Sequence, residues 1–287
     1  MSIKSYVKRG IQYITTGIPE NHITAEVISL CSSELLIGKN AIITGGTSGI
    51  GRAIAIAFIR AGATVVITSR NHEKVIRCTE EMEIETRTRK IYGVELDNTM
   101  VGTFSDKVNE IAQILPNHNI DILVNNAGIN GGTFKTCSEE EYARVMDTNL
   151  KAAFFLSQIV SNYMIENKIR GNILNIASSS SLRPATSAYT LSKWGIRGLT
   201  IGLAKTLIKY GIVVNGLAPG PTATPMLIKN GEDDISLANN PSGRYAMPEE
   251  IANMALVLTS GMGRMIVGDI VYMTGGAGTI TIDDINY

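Results

Sequence analysis

Asn40-Ala41-Ile42-Ile43-Thr44-Gly45-Gly46-Thr47-Ser48-Gly49-Ile50-Gly51 is the stretch whose reading decides the fold. The first five residues, largely apolar, read as a buried strand. A glycine-rich turn follows at once, and Ile50 to Ala61 then reads as an amphipathic helix, ended by Gly62 where a left-handed residue would close it. A strand that enters a helix through a turn of spacing Gly-x-x-x-Gly-x-Gly is the setting of a dinucleotide site. Gly45, Gly49 and Gly51 let the backbone approach a pyrophosphate closely. The amides and dipole at the helix N-terminus favour its negative charge, so Thr47, Ser48 and Ile50 join the glycines as expected cofactor contacts.

Outward from this unit, short apolar runs alternate with longer amphipathic stretches. Strands are expected over residues 40–44, 64–68, 91–96, 120–125, 173–176, 212–215 and around 266–273. Helices are expected near 50–61, 71–89, 138–166, 188–210 and 248–260, with one more between the third and fourth strands. This alternation predicts an α/β fold: a doubly wound, Rossmann-type three-layer sandwich on a seven-stranded, mostly parallel sheet, in a single domain over residues 37–287. Residues 1–36 stand outside it as an N-terminal extension, where Ile3, Val7, Ile11 and Ile14 could share one helical face.

Composition narrows the partners. Lys+Arg and Asp+Glu balance at 26 each, which gives no reason to expect nucleic acid or an anionic membrane, and points to a small molecule. Cys31, Cys78 and Cys137 lie far apart with no Cys-x-x-Cys spacing, against a disulfide framework or a metal site. No apolar run approaches the roughly 18 residues of a membrane span, and no secretory leader is legible. A cytoplasmic protein is expected.

The end of the second strand sorts NAD from NADP, because a carboxylate there binds the ribose hydroxyl and repels a 2′-phosphate. Here it reads Thr68-Ser69-Arg70-Asn71. No acid is present, Arg70 offers a planar cation for a phosphate, and Ser69 and Asn71 add donors, so NADP(H) is expected over NAD(H).

Tyr189-Thr190-Leu191-Ser192-Lys193 places a phenol and an ammonium four residues apart on an expected helix, hence on one face. A cation beside a phenol favours its anion and should draw the pKa toward neutrality, making Tyr189 a proton donor or acceptor. With the glycine turn, this Tyr-x-x-x-Lys pair gives a chain that resembles the short-chain dehydrogenase/reductase family. Asn125-Asn126-Ala127-Gly128, Asp147-Thr148-Asn149-Leu150, Pro219-Gly220-Pro221-Thr222-Ala223-Thr224 and Pro248-Glu249-Glu250-Ile251-Ala252 also match family segments, so the resemblance spans roughly residues 36–278.

The resemblance implies a catalytic set of Asn149, Ser178, Tyr189 and Lys193. Tyr189 would be the general acid/base. Lys193 would lower its pKa and bind the nicotinamide ribose, Ser178 would polarise the substrate carbonyl, and Asn149 would hold a water that passes protons to Lys193. For the cofactor it implies Asp97 at the adenine, Asn126, Ala127 and Gly128 on the adenosine side, and Pro219, Gly220, Thr222 and Thr224 at the nicotinamide. Two departures stand out. Ser178 precedes Tyr189 by eleven residues, closer than is usual in the family, which leaves Ser179 as the alternative, and Thr274-Gly275-Gly276 stands where Asp-Gly-Gly is common.

The function expected is NADP-dependent hydride transfer between nicotinamide and a carbonyl or secondary alcohol, with reduction as the default and a 3-oxoacyl thioester or another ketone as first substrate. An NAD-linked sugar, polyol or steroid alcohol dehydrogenase remains the alternative if Arg70 is incidental. A non-catalytic dinucleotide sensor would require a broken catalytic set. Substrate choice is expected to lie in loops 129–137, 182–187 and 226–247. The family forms homodimers or homotetramers, and Ala152, Ala153, Gly195, Gly198 and Gly202 would permit close helix approach, between subunits or within one.

Overall fold

The computed structural model describes residues 34–226 and 234–281. The helix expected around Ile3–Ile14, and Lys229, Glu232 and Asp233 of the long loop, lie outside the described residues.

Seven strands form one sheet: β1 (Asn40–Thr44), β2 (Thr64–Ser69), β3 (Ile91–Glu95), β4 (Ile122–Asn125), β5 (Asn172–Ile176), β6 (Val213–Pro219) and β7 (Ile270–Met273). Their order is β3-β2-β1-β4-β5-β6-β7, and every pairing is parallel. The helices are α1 (Gly49–Arg60), α2 (His72–Thr86), α3 (Phe104–Ile114), α4 (Glu139–Met146), α5 (Ala152–Glu166), α6 (Ala188–Leu207) and α7 (Pro248–Thr259).

The period-two alternation of the strands explains the layers. Ala41, Ile43, Val65, Ile67, Ile122, Val124, Leu174 and Ile176 point to one face and pack with α1, α2 and α7. Ile42, Val66, Leu123, Ile173 and Val214 point to the other and pack with α3, α5 and α6. Both faces are covered, which is why the strands read as near-continuous apolar runs. Leu36, counted above in the extension, is 1% exposed and sits in the first of these cores.

Several boundaries shift for local reasons. The helix expected over 71–89 stops at Thr86 because Arg87 turns left-handed at φ 54°. β4 begins at Ile122, just after Asp121, whose carboxylate accepts from Lys39 Nζ and Asn40 N. β7 begins only at Ile270, after Gly268 at φ 74°. The single helix expected over 138–166 is interrupted: Asp147–Lys151 forms a π-turn between α4 and α5, and Ala152 N reaches the Asp147 carbonyl. The wider turn carries Asn149 inward, to 2% exposure.

Between β4 and β5 runs a buried polar chain. Asn125 Nδ2 donates to Ser157 Oγ on α5 at 2.9 Å and to Asn175 Oδ1 at 2.8 Å, and Asn175 Nδ2 donates to Thr200 Oγ1 on α6 at 2.9 Å. Of the small residues expected to ease helix approach, Ala152 and Ala153 are buried within this chain, and a Cβ on Gly195 would meet Leu150 at 2.5 Å. Gly198 and Gly202 face open space. Among the described residues, no helix is long and apolar enough to cross a membrane.

Candidate active site

The strand order reverses between β1 and β4, and in such sheets the crevice at the carboxyl ends of the strands is where ligands bind. A cleft of about 550 Å³ lies there. Gly45 opens it at φ 64°, and a Cβ on Gly51 would fall on Asn126 Nδ2 and within 2.5 Å of the Gly45 carbonyl oxygen. The turn is braced from the end of β4. Asn126 Nδ2 donates to the carbonyls of Thr44 (2.9 Å) and Gly45 (3.1 Å), while Thr44 Oγ1 accepts from the amides of Asn126 and Ala127, both at 3.0 Å. Asn126 therefore spends both amide protons on the turn, where a direct cofactor contact was expected.

Ser48 is the N-cap of α1 but makes no side-chain cap, and the first turn carries no acid. Gly49, Ile50 and Gly51 line the cleft, so uncapped helix amides meet it, an arrangement suited to a diphosphate. Thr68 Oγ1, at the end of β2 and also lining the cleft, is buried and has no hydrogen-bond partner among the described residues. These donors, with glycines where a Cβ would collide, fit a nicotinamide dinucleotide.

At the far end of the cleft stand Ser69 and the exposed Arg70. Asn71 does not line it. Its Oδ1 caps α2 by accepting from Lys74 N at 2.7 Å, which brings Lys74 to the cleft beside Arg70. The sequence reading passed over Lys74, although a cation in a first helical turn opposes the helix dipole and so asks for a local anion. Asp97 lines the cleft too, with Oδ1 accepting from Thr99 N and Oγ1, both at 2.8 Å.

The opposite wall comes from β5, α6 and the segment after β6. Pro219, Gly220, Thr222 and Thr224 line it, and a Cβ on Gly49 would meet the Thr224 methyl at 3.2 Å, so that segment folds back against the glycine turn. Ser178 leaves β5 as the N-cap of a short 3₁₀ turn, with Oγ accepting from Ser180 N at 3.1 Å. Ser178 and Ser179 both line the cleft, and Ser178 is the one whose side chain acts to lower the Tyr189 pKa.

Burial pushes the Tyr189 phenol above its usual range, and the Ser178 hydrogen bond draws it partway back. The lysine effect expected from sequence is not the governing one. Lys193 Nζ lies 5.7 Å from the Tyr189 ring centroid and donates to the Ile176 carbonyl at 2.8 Å, and burial brings its own ammonium down to about 8. Both groups lie in a medium that resists charge, and the energy of removing them from water exceeds their attraction at this separation.

Asn149 stands behind the cleft. Its Oδ1 accepts from Ile129 N at 2.8 Å, and its Nδ2 donates to the Ile129 carbonyl at 2.9 Å and to Ser192 Oγ at 3.0 Å. Ser192 Oγ in turn donates to the Tyr189 carbonyl at 2.6 Å. Ser192, absent from the expected set, ties the π-turn to the helix bearing Tyr189, and its place inside the Tyr-x-x-x-Lys segment was the one hint available. All the other expected residues line the one cleft; Asn71 and Asn149 do not.

A family model described as short chain dehydrogenase matches residues 39–235. A 3α-hydroxysteroid dehydrogenase of Mediterraneibacter gnavus is 36% identical over 85% of this chain and 98% of its own. A 3-oxoacyl-[acyl-carrier-protein] reductase of Thermotoga maritima is 34% identical over 84% and 98%. The crystal structure of a 3-oxoacyl-[acyl-carrier protein] reductase from Brucella melitensis superposes with a TM-score of 0.79 at 29% identity, covering 91% of this chain and all of that one. A match across most of the chain, on this sheet and this cleft, makes the protein a member of the short-chain dehydrogenases, oxidoreductases that act on CH–OH or ketone groups with a nicotinamide cofactor.

Proposed function

We propose that the protein reduces the ketone of a 3-oxoacyl thioester with NADPH, using Tyr189, Ser178, Lys193 and Asn149. The observation that carries this reading is that Ser178, Tyr189 and Lys193 line the same cleft as the glycine turn and the segment after β6. Bound NADPH supplies a hydride to the carbonyl carbon. Ser178 and Tyr189 then hold the carbonyl oxygen between two hydroxyls, and Tyr189 releases its proton to that oxygen as negative charge develops there. A phenol held protonated by burial suits the acid role at neutral pH. Lys193 places a cation, shared with the Ile176 carbonyl, beside the phenolate left behind. Asn149 fixes Ile129 and, through Ser192, the backbone of Tyr189.

NADPH over NADH is supported by Arg70, just after β2, and Lys74, in the first turn of α2, which both line the cleft, and by the lack of an acid within Thr68-Ser69-Arg70-Asn71. The thioester class is supported by the reductases among the relatives. A cytoplasmic setting agrees with Cys78 and Cys137 being free thiols. Homo-oligomer formation agrees with the exposed Phe154 on α5 and Leu191, Trp194 and Ile201 on α6.

NADPH and NADH titrations followed by nicotinamide fluorescence, then NADPH oxidation with acetoacetyl-CoA, test the proposal. Tight NADPH binding with turnover that collapses in Tyr189→Phe supports it. Turnover unchanged in that variant overturns the catalytic assignment, and binding that favours NADH turns the search to alcohol oxidation of a steroid, sugar or polyol.

A further inference from the structure

Loop 129–137, between β4 and α4, was assigned above to substrate choice, but its backbone also closes the N-terminal end of α6. The first amides of a helix have no partner within it. Ala188 N donates to the Gly132 carbonyl at 2.8 Å and Tyr189 N to the Gly131 carbonyl at 3.3 Å, while of these first amides Ser187 Oγ takes Thr190 N alone. Phe134 N reaches the Thr186 carbonyl at 3.0 Å, and Thr133 bridges to Ser187. The start of the helix that carries Tyr189 therefore rests on this loop.

Glu141 holds the loop from behind. It is the third residue of α4, and Ser138 Oγ, the N-cap, accepts from its amide at 3.2 Å. In a capping box the glutamate at this place returns to its own N-cap amide. Here Oε1 reaches across to Gly132 N at 2.9 Å instead. The fit leaves no slack: a Cβ on Gly132, at φ 74°, would lie 2.6 Å from Ala188 Cβ, and one on Gly131, at φ 135°, would lie 2.8 Å from Glu141 Oε1. Glu141, Gly132 and Ala188 form one continuous stack that ends at the Tyr189 backbone.

We infer that Glu141 is a positioning residue for the Tyr189 phenol, acting through Gly132 and the two amides at the start of α6. The inference rests on the proposed role of Tyr189. Its mechanism is geometric: a misplacement of about 1 Å at a proton-transfer group costs about a hundredfold in rate, and the Glu141 oxygen accepting from Gly132 N is what keeps the loop, and so the helix start, in place.

Two variants test it. Glu141→Ala removes the acceptor, whereas Glu141→Gln keeps an oxygen at the same reach without the charge. Hydrogen exchange followed by mass spectrometry on the peptide containing Ala188 and Tyr189 should quicken by about tenfold or more in Glu141→Ala and stay within about threefold of the parent in Glu141→Gln. With NADPH and acetoacetyl-CoA, kcat should fall about tenfold or more in Glu141→Ala, with NADPH affinity within about twofold of the parent, and recover in Glu141→Gln. If Glu141→Ala fails to fold, Gly132→Ala presses on Ala188 from the other side and should give the same exchange and kcat changes. Unchanged exchange overturns the inference, as does faster exchange with unchanged kcat, or an equal loss of kcat and NADPH binding without rescue by glutamine. A parent that does not turn over acetoacetyl-CoA counts against the thioester reading, and the exchange arm then decides on Glu141 by itself.

Discussion

Lys193→Met is expected to remove the chemistry of the cleft and yet stabilise the protein at neutral pH. Lys193 is 5% exposed, and burial lowers its ammonium from 10.5 to about 8. At 1.36 kcal/mol per pH unit, keeping that proton in the folded state at pH 7 costs about 3 kcal/mol. The hydrogen bond to the Ile176 carbonyl offsets about 1 kcal/mol of this. Methionine has similar length and no charge, so a gain of about 2 kcal/mol at pH 7 is expected. The sign follows from proton counting. Between pH 8 and 10.5 the unfolded chain keeps a proton that the folded chain has lost, so the parent becomes more stable as pH rises through that window, and the penalty is fully present below it. By pH 9.5 the penalty has shrunk by about 2 kcal/mol, and the advantage of methionine should nearly vanish. Urea unfolding of parent and variant at pH 7 and 9.5 measures this difference directly. A variant-minus-parent difference that is the same at both pH values would refute the claim that burial, rather than the loss of a contact, governs this lysine.

Arg70→Asp should weaken NADPH binding by about 10- to 100-fold and improve NADH binding, because it replaces a charge-assisted donor by a like charge at the end of β2; fluorescence titration reads both. Ser178→Ala should lower kcat by about a hundredfold and, in alcohol oxidation, move the rise of rate with pH upward, since the bond that draws the Tyr189 phenol down is lost; Ser179→Ala should do neither. Asn126→Ala strips two donors from the carbonyls of the glycine turn and should cost about 1–3 kcal/mol in denaturant unfolding, with weaker NADPH binding; unfolding unchanged from the parent would show the brace to be idle.

The layers were legible because each strand is short, apolar and followed by an amphipathic stretch, so that period alone gave seven strands between helices; their order in the sheet came from the structure. The glycine turn was legible because only a strand before it and a helix after it make sense of Gly45, Gly49 and Gly51 together. The π-turn at Asp147–Lys151 was not, since one extra residue in a helix is settled by what packs behind it, here Ile129 and Ser192, and leaves no local signature. The direction of the Tyr189 pKa was misjudged for a related reason. A charge four residues away is visible in sequence, whereas the depth at which both groups lie is not. Glu141 was hidden by degeneracy, because Ser138-Glu139-Glu140-Glu141 reads as an ordinary helix start and gives no sign that its last carboxylate is used elsewhere.

The asparagine chain at β4 and β5 bears on how the sheet avoids assembling wrongly. Apart from their asparagines, Ile-Leu-Val-Asn, Asn-Ile-Leu-Asn-Ile and Val-Val-Asn-Gly-Leu are so uniformly apolar that sliding one strand by two residues would keep apolar side chains on the same faces. Hydrophobic burial alone would scarcely distinguish such neighbours. With Asn125 opposite Asn175, and each amide answered by Ser157 or Thr200, a slide would strand two amides and the Ser157 hydroxyl among aliphatic side chains, at about 1–3 kcal/mol apiece. A misaligned sheet is thereby penalised by polar groups, where apolar packing alone would not resist the slide. The same alignment sets the heights at which β4 delivers Gly128 and β5 delivers Ser178 to the cleft.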